Sequence, residues 1–313
     1  MGTVLAIVAP GQGAQTPGFL SPWLTDSTYV SDLARLSEVG GLDLAHYGTE
    51  ADAEAIRDTA VAQPLLVAAG VLAAGRLLGA GPAADVVAGH SVGELTAAAV
   101  AGVIPAVQAM LLVAERGRAM AEAAAATPTS MTAVIGGKPD EVLAAIERHG
   151  LTPANNNGPG QIVAAGTVEQ LAALAADPPA RARLIPLSVA GAFHTTHMEP
   201  AVTRLAAVAG GLDPKDPSTR LLSNADGAEV ADGREVLDRL VRQVAAPVRW
   251  DLCLETLAGL GVTGLLELPP AGTLTGIAKR NLKGVELFAL NTPDQLPEAQ
   301  AFVQQHANRE VSR

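Results

Sequence analysis

The chain has 313 residues, which is long enough for one large domain or for one domain that carries an insert. Its hydrophobic content of 49% and charged content of 17% exclude a disordered chain. A net charge of −11 argues against a nucleic-acid-binding protein, because such proteins need a basic face to neutralise phosphates, and the single cysteine, Cys253, excludes an internal disulfide.

The first elements are predicted from apolar runs and turn residues. A buried strand is predicted over 3–9, followed by the turn PGQGAQ at 10–15, and a helix is predicted over 64–81 with Pro64 in its first turn. No basic segment precedes a long apolar run at the N-terminus, so no signal peptide is predicted. The uncharged run 95–114 is interrupted by Pro105 and Gln108, which favours two buried helices, the second reaching about Ala125, over a membrane span. We therefore expect a cytoplasmic protein without membrane contact.

Residues 130–189 have a different order of elements. The pattern predicts a strand at 131–137, a helix at 139–149, strands at 152–157 and 161–166, a helix at 168–176 and a strand at 183–190. This βαββαβ order is the ferredoxin-like arrangement. In the rest of the chain strands alternate with helices, which indicates an α/β fold with a mostly parallel sheet and helices on both faces. We predict a discontinuous large domain, 1–127 and 191–313, with a small subdomain at 128–190.

One serine lies between a predicted strand and a predicted helix, in the segment VVAGHSVGELTAAAV at 86–100. Ser91 and Glu94 have the spacing of a capping box, in which each side chain bonds a backbone N–H at a helix start. Gly89 and Gly93 also complete the pattern G-x-S-x-G of a nucleophile elbow. The two interpretations are compatible, and a nucleophile additionally requires a base.

The candidate base is one of two neighbouring histidines. His194 and His197 lie in GAFHTTHM at 191–198, where the chain returns from the small subdomain and a cleft would open. Spacing alone does not choose between them. His149, at a helix end, and His306, in the polar tail, are predicted to be solvated. His90, beside the serine, is predicted to pack or hydrogen-bond structurally, and His46 has no supporting pattern.

A second chemical signal is an arginine on an apolar helix face. In the segment MLLVAERGRAM, the helical neighbours of Arg116 are Leu112, Val113, Ala119 and Met120. A buried cation needs an anion, because an unpaired buried charge is prohibitive. The partner is either a structural Asp or Glu or a carboxylate on a substrate, which a guanidinium can hold bidentately.

Seven motifs now stand in order along nearly the whole chain: PGQGAQ, GHSVGE, ERGRAM, NNNGPGQIVAAG, GAFH, VRQVAAPVRW and GTLTGIAKR. Together they resemble the malonyl-CoA:acyl carrier protein transacylases, which load malonyl groups for fatty-acid and polyketide synthesis. The fold of that family, a hydrolase-like α/β domain with a ferredoxin-like insert, agrees with the order of elements above. One departure is Pro269-Pro270-Ala271, where the family usually has Gly-Pro-Gly.

The resemblance implies a role for each matching residue. Ser91 would be the nucleophile, His194 the base, and the backbone N–H groups of Gln12 and Val92 the oxyanion hole. Arg116 would bind the malonyl carboxylate, and Phe193 would accompany malonyl selection. Gln243 and Asn224 would orient the histidine.

The resemblance also implies the reactants. The partners would be malonyl-CoA and acyl carrier protein, with CoA thioester as substrate and phosphopantetheine carried by the partner. No metal and no cofactor are expected, and the expected oligomeric state is a monomer. Two basic clusters are candidates for docking the carrier: Lys279, Arg280 and Lys283, or Arg181 and Arg183.

Two other classes of protein remain as alternatives. A serine hydrolase such as a thioesterase would use the same elbow, and Asp140 and Asp177 do lie between Ser91 and His194 in the chain, although at positions suited to helix capping. A non-catalytic module that binds the carrier protein is disfavoured, since Ser91, His194 and Arg116 are all retained.

Overall fold

Parallel strands form the sheet that carries the candidate elbow. The computed structural model describes residues 2–79, 84–189 and 191–307. Within them this sheet contains β1 (Leu5–Ala9), β2 (Val86–Gly89), β7 (Arg220–Leu222), β9 (Gly264–Glu267) and β10 (Glu286–Ala289). The strand order is β10-β9-β1-β2-β7, and every neighbouring pair is parallel. The predicted mostly parallel α/β sheet is confirmed.

Helices cover both faces of this sheet. The α-helices of the described residues, of which α6 and α7 belong to the predicted insert, are α1 Ser27–Gly40, α2 Leu44–Thr49, α3 Thr59–Leu78, α4 Gly93–Val100, α5 Ala106–Ala126, α6 Pro139–Arg148, α7 Val168–Ala176, α8 Glu199–Gly210, α9 Gly233–Arg242, α10 Trp250–Gly259, α11 Thr273–Asn281 and α12 Leu296–His306. Alternate residues of β1 enter different cores. Leu5 and Ile7 pack in the core that contains α3 and α5, whereas Ala6 and Val8 pack in the core that contains α10 and α11. A strand buried on both faces is therefore continuously apolar.

A second, smaller sheet contains the predicted insert. Its strands are β3 (Thr129–Gly136), β4 (Thr152–Asn156), β5 (Gln161–Thr167), β6 (Ala182–Pro186) and β8 (Val248–Arg249). The order β6-β3-β5-β4 is antiparallel throughout, and α6 and α7 pack on it, which confirms the βαββαβ arrangement. The two-residue β8, which the sequence did not predict, pairs parallel with β4 and ties this sheet to the later part of the chain. The division into domains stays a prediction.

One helix begins earlier than its sequence pattern indicated. α3 begins at Thr59, after Asp58, whose carboxylate accepts a hydrogen bond from the backbone N–H of Ala60 at 2.8 Å. The prediction that Pro64 occupies the first turn is wrong, because this cap starts the helix before it. Residues 80–81 of the predicted helix, residue 190 of the predicted strand, and residues 1 and 308–313 of the predicted large domain lie outside the described residues.

Long apolar segments fold as core helices. The run 95–114 forms parts of α4 and α5, separated by a break that ends at Pro105, as predicted. In the described part of the chain, α3 is the helix with the length and hydropathy of a membrane span. Of its most apolar 18-residue stretch, 72% is buried inside the protein. It packs against α4 and α5, which is typical of a core helix.

Candidate active site

Ser91 lies on a tight turn at the carboxyl end of β2. Its φ of +53° is in the left-handed region, so the turn is strained for a residue with a side chain. Glycine is needed on both sides: a Cβ on Gly89 would lie 2.1 Å from the carbonyl carbon of Gly93, and one on Gly93 would lie 2.2 Å from the carbonyl oxygen of Ala9. The predicted strand–turn–helix elbow is confirmed.

The alternative capping box is not formed. The backbone N–H of Ser91 donates to Asn224 Oδ1 at 2.9 Å rather than to Glu94, and α4 has no side-chain cap. The capping interpretation is wrong because the elbow turns the Ser91 hydroxyl toward a histidine, while the Glu94 side chain points into the core.

That histidine is His194. Ser91 Oγ lies 2.7 Å from His194 Nε2, and His194 Nδ1 lies 2.9 Å from the backbone oxygen of Gln243. Because a carbonyl oxygen only accepts, Nδ1 must carry the proton and Nε2 is left to accept the hydrogen of Ser91. His197 lies on a part-exposed turn, so of the two histidines that the spacing left open only His194 reaches the serine.

The environment keeps His194 neutral. Burial, together with the nearby charge of Arg116, lowers the pKa of His194 to about 3. A neutral imidazole with its lone pair directed at a hydroxyl can act as a general base.

Gln12 and Val92, each with a backbone N–H group, line the same cavity as Ser91. β1 ends at Ala9 opposite Gly89 of β2, so the turns that follow these two strands emerge side by side. The Gln12 side chain fixes its turn by donating to the Arg57 oxygen and to Thr59 Oγ1, both at 3.2 Å. Within the described residues neither the Gln12 nor the Val92 backbone N–H has a protein acceptor. Two such donors beside a nucleophile are the composition of an oxyanion hole.

Arg116 is buried as the helical pattern predicted, with only 2% of its surface exposed. Its guanidinium donates to Gln63 Oε1 at 2.5 Å and to Gln243 Oε1 at 2.6 Å, and it approaches Ser91 Oγ at 3.5 Å. Among the described residues no carboxylate oxygen lies within 4.0 Å of it. Burial lowers its pKa to about 10, so the group remains a cation at neutral pH. Neutral amides hold this charge in place without cancelling it, and the structural ion pair considered above is not formed.

Gln243 connects these groups. Its side-chain Nε2 donates to the backbone carbonyl oxygen of Ser91 at 2.9 Å and to Glu94 Oε2 at 2.5 Å. Its own backbone carbonyl orients His194. Asn224 bonds the Ser91 backbone and makes no hydrogen bond to His194. The expectation that Asn224 orients the histidine is therefore corrected: it holds the nucleophile's turn instead.

Two buried polar residues at this site were missed in the sequence. Glu94 is 5% exposed, and its two oxygens accept from the Asn224 N–H and from Gln243. Burial raises its pKa to about 7, against hydrogen bonds and the charge of Arg116, which favour the ionised form. Gln63, 1% exposed, is the other. The available signal was a polar residue among mostly apolar neighbours in each of two helices, α4 and α3.

A cavity of about 250 Å³ between the two sheets contains the site. Ser91, His194, Arg116, Gln12 and Val92 line it together with further polar residues, among them Asn155, Asn157, Gln161 and Thr273. Its apolar walls come from the small sheet and the segment after it, and from α5 and α11: Met120, Met131, Ala133, Val163, Leu187, Val189, Phe193, Leu274 and Ile277. An apolar cavity with a few convergent polar groups is the usual form of a small-molecule site.

A model of the acyl transferase domain matches residues 7–303. The chain belongs to the acyl transferase family. Curated relatives named malonyl CoA-acyl carrier protein transacylase include one from Mycobacterium tuberculosis (strain ATCC 25618 / H37Rv), 52% identical over 94% of this chain and 99% of the relative. Another, from Escherichia coli (strain K12), is 34% identical over 95% of this chain and 99% of the relative.

Solved acyl transferases share the whole fold. MCAT from Mycobacterium tuberculosis superposes with a TM-score of 0.92 at 51% identity, over 95% of this chain and 99% of that chain. A malonyl-transacylase solved in complex with its type II PKS acyl-carrier protein superposes with a TM-score of 0.88 at 33% identity, over 96% and 99%.

Within this acyl transferase, the two acids considered for a hydrolase triad lie away from His194. Asp177 forms an exposed ion pair with Arg148 at 2.9 Å. Asp140 lies at the start of α6, as predicted, but α6 has no side-chain cap. The group bonded to His194 Nδ1 is thus a carbonyl oxygen rather than an acid.

The other histidines of the acyl transferase have structural contacts. His90 bonds Asn157 at 2.8 Å and packs edge-on against Trp250, as predicted for the residue beside the nucleophile. His306, the last residue of α12, is 3% exposed, and the His149 side chain is 15% exposed, so the prediction that these two are solvated is wrong. In the described segments no group of three His, Cys, Asp or Glu side chains is arranged to hold a metal ion.

The departure at 269–271 leaves an ordered loop. The backbone N–H of Ala271 donates to Asn291 Oδ1 at 2.7 Å, and the buried carboxylate of Glu267 accepts from the backbone N–H groups of Gly272, Leu274 and Thr275. These contacts fix the start of α11, which forms one wall of the cavity.

Proposed function

We propose that this acyl transferase moves the malonyl group from malonyl-CoA to the phosphopantetheine thiol of acyl carrier protein through a malonyl-Ser91 ester. One observation carries the proposal: the Ser91–His194 pair shares a cavity with Arg116, a buried cation that no described carboxylate neutralises. The reacting hydroxyl and the charge that recognises the acyl group are thereby 3.5 Å apart. The names of the relatives support the same activity.

The first half-reaction forms the ester. His194 Nε2 takes the proton of Ser91 as Oγ attacks the thioester carbonyl carbon. The negative charge that develops on the carbonyl oxygen is stabilised by the N–H groups of Gln12 and Val92. When the C–S bond breaks, the CoA thiolate takes the proton from His194.

The second half-reaction reverses these steps with another thiol. The phosphopantetheine thiol gives its proton to His194 and attacks the ester carbon, and Ser91 Oγ leaves with that proton. One thioester is exchanged for another, so the transfer needs no cofactor, metal or other energy source. The expected setting is a cytoplasmic monomer that serves fatty-acid or polyketide synthesis.

Phe193 is proposed to select against an α-methyl group. Its ring lines the cavity one residue before His194 and is 7% exposed. A methyl group on the malonyl α-carbon would meet this ring, although one methyl is typically worth only about 1–3 kcal/mol. Methylmalonyl-CoA should therefore be a poor substrate rather than an excluded one.

Hydrolysis is the less favoured activity for this site. His194 is oriented by the Gln243 carbonyl and not by a carboxylate, so an imidazolium has no acidic partner to stabilise it. This feature disfavours activation of water relative to reaction with a delivered thiol.

Mass spectrometry after incubation with malonyl-CoA tests the proposal. We expect a malonyl adduct on the peptide that contains Ser91, its loss on addition of the carrier protein, and no adduct in Ser91→Ala. Slow release without a thiol is expected for a transferase. Absence of the adduct in the wild-type protein would refute the proposal, and rapid release into water would identify a hydrolase.

The carrier protein is proposed to dock beside α11. Lys279, Arg280 and Lys283 are exposed there, and Leu274 and Ile277 of the same helix line the cavity. This juxtaposition favours the cluster over the pair Arg181 and Arg183. Arg181 lies just before β6 and Arg183 lies in it, and β6 is an edge strand of the small sheet.

Charge reversal tests this surface. The double change Lys279→Glu and Arg280→Glu should raise the KM for the carrier about 10-fold, since exposed interface charges act mainly on association. Serine acylation by malonyl-CoA should be unchanged. The matched control reverses Arg181 and Arg183. A larger KM effect from the control pair would transfer the docking site to β6.

A further inference from the structure

Glu94 is a buried carboxylate to which the mechanism above assigns no step. Its Oε1 accepts from the Asn224 backbone N–H and its Oε2 accepts from Gln243 Nε2, both at 2.5 Å. Each of these two partners then contacts the backbone of Ser91. The Glu94 carboxylate thus bonds both residues, Asn224 and Gln243, that hold the turn at Ser91.

The contacts around Gln243 have a fixed direction. An ionised carboxylate can only accept, and so can the Ser91 carbonyl. Both hydrogens of Gln243 Nε2 are therefore used, and Oε1 must face the opposite way, where it accepts from Arg116 at 2.6 Å. If the amide were reversed, its NH₂ group would point at the guanidinium.

The same residue also reaches the base. Gln243 holds His194 through its backbone carbonyl at 2.9 Å, so anchoring its side chain at Glu94 restrains that carbonyl as well. Asn224 provides a second connection from Glu94 to Ser91, because its Oδ1 accepts from the Ser91 N–H at 2.9 Å. The nucleophile, the base and the binding cation are all connected to Glu94 through a single intermediate residue each.

We propose that Glu94 is a positioning residue for transfer. Its acceptor-only carboxylate sets the orientation of the Gln243 amide toward Arg116 and holds Gln243 and Asn224 around Ser91. The proposal rests on the proposed malonyl transfer. It assigns Glu94 no contact with substrate, and its effect is transmitted through Gln243 and Asn224.

A neutral residue would be the cheaper choice if fold stability were the only requirement. Burying a carboxylate away from water is costly unless its partners compensate, and Glu94 has two N–H donors but no cation in direct contact among the described residues. Glutamine has one acceptor oxygen and one donor nitrogen, so it cannot satisfy two donors that approach two different oxygens. The carboxylate is what the directed network requires.

The test compares Glu94→Gln with wild type at pH 8, where Glu94 is ionised in the wild type. We expect kcat/KM for Ser91 acylation by malonyl-CoA to fall about 10- to 100-fold, as for loss of a charge-assisted hydrogen bond. Acetyl-CoA, which does not use Arg116, should lose less, so the malonyl:acetyl ratio should fall at least about 5-fold. Glu94→Asp keeps two acceptor oxygens and should recover part of this ratio.

The matched control is Glu115→Gln on α5, the helix that carries Arg116, where the carboxylate binds Arg204 at 2.7 Å near the surface. It should leave the ratio unchanged. A folded Glu94→Gln protein with wild-type ratio and kcat/KM overturns the inference, and so do equal losses for both substrates that follow a reduced folded fraction. Should Glu94→Gln fail to fold, Glu94→Asp must still show a ratio below that of the wild type. Wild-type protein that takes up no malonyl group overturns the proposed function itself, and the inference with it.

Discussion

Replacing Arg116 by alanine is expected to lower malonyl transfer about 10²- to 10³-fold, because a charge-assisted bidentate contact in a buried pocket is lost. The guanidinium is 2% exposed and its described partners are neutral side chains, so in wild type the incoming carboxylate would neutralise a cation that is already desolvated. Selectivity for malonyl over acetyl groups should fall or invert.

Acetyl transfer should be unchanged or faster in the same variant. Acetyl-CoA has no free carboxylate, so in wild type its methyl group would face an uncompensated cation. Burial is the largest cause that lowers the pKa of His194, and the charge of Arg116 is the second. Removing that charge should raise the basicity of His194 and assist removal of the Ser91 proton.

Arg118→Ala is the matched control. This residue lies two positions further along α5, its side chain is 51% exposed, and it donates to the Gly40 oxygen. The measurement is single-turnover acylation of Ser91 by each thioester, with the melting temperature of each variant. Equal losses of malonyl and acetyl transfer in Arg116→Ala, with a lowered melting temperature, would indicate a structural arginine and leave the specificity unexplained.

The elements and the serine could be predicted because their signals are local. The apolar run of β1 and the flanking glycines of Ser91 follow from a few neighbouring residues, as does the inward face of Arg116. By contrast, β8 is only two residues long and pairs with a strand nearly one hundred positions earlier, so no alternation or length could reveal it.

The contacts of Glu94 with the residues around Ser91 could not be predicted, because they depend on tertiary packing. Glu94 meets Asn224 and Gln243 across separations of 130 and 149 residues, and nothing near Glu94 in the chain predicts these partners. The local S-x-x-E spacing instead favoured a helix cap, which the elbow geometry overrides. Likewise, spacing could not separate His194 from His197, because their distances from Ser91 are set by how the chain returns between the two sheets.

Replacing His194 by alanine is expected to reduce malonyl transfer about 10³-fold or more, the range in which general-base catalysis contributes. No other described imidazole lies within hydrogen-bonding distance of Ser91 Oγ, which is 2.7 Å from Nε2 of His194. Binding should be affected far less, since Arg116 and the cavity walls remain. The loss should therefore appear in kcat for acylation and not in the KM for malonyl-CoA.

His197→Ala separates this prediction from a general effect of the loop. His197 lies three positions on, in the turn before α8, and its loss should leave kcat unchanged. Because burial and Arg116 lower the pKa of His194 to about 3, the base stays neutral as the pH falls from 8 to 5, and its protonation should not reduce the wild-type rate in that range. A loss of kcat in His197→Ala together with wild-type kcat in His194→Ala would assign the base to His197. If both single variants kept wild-type kcat, neither histidine would be the base and the serine would require a different activating group.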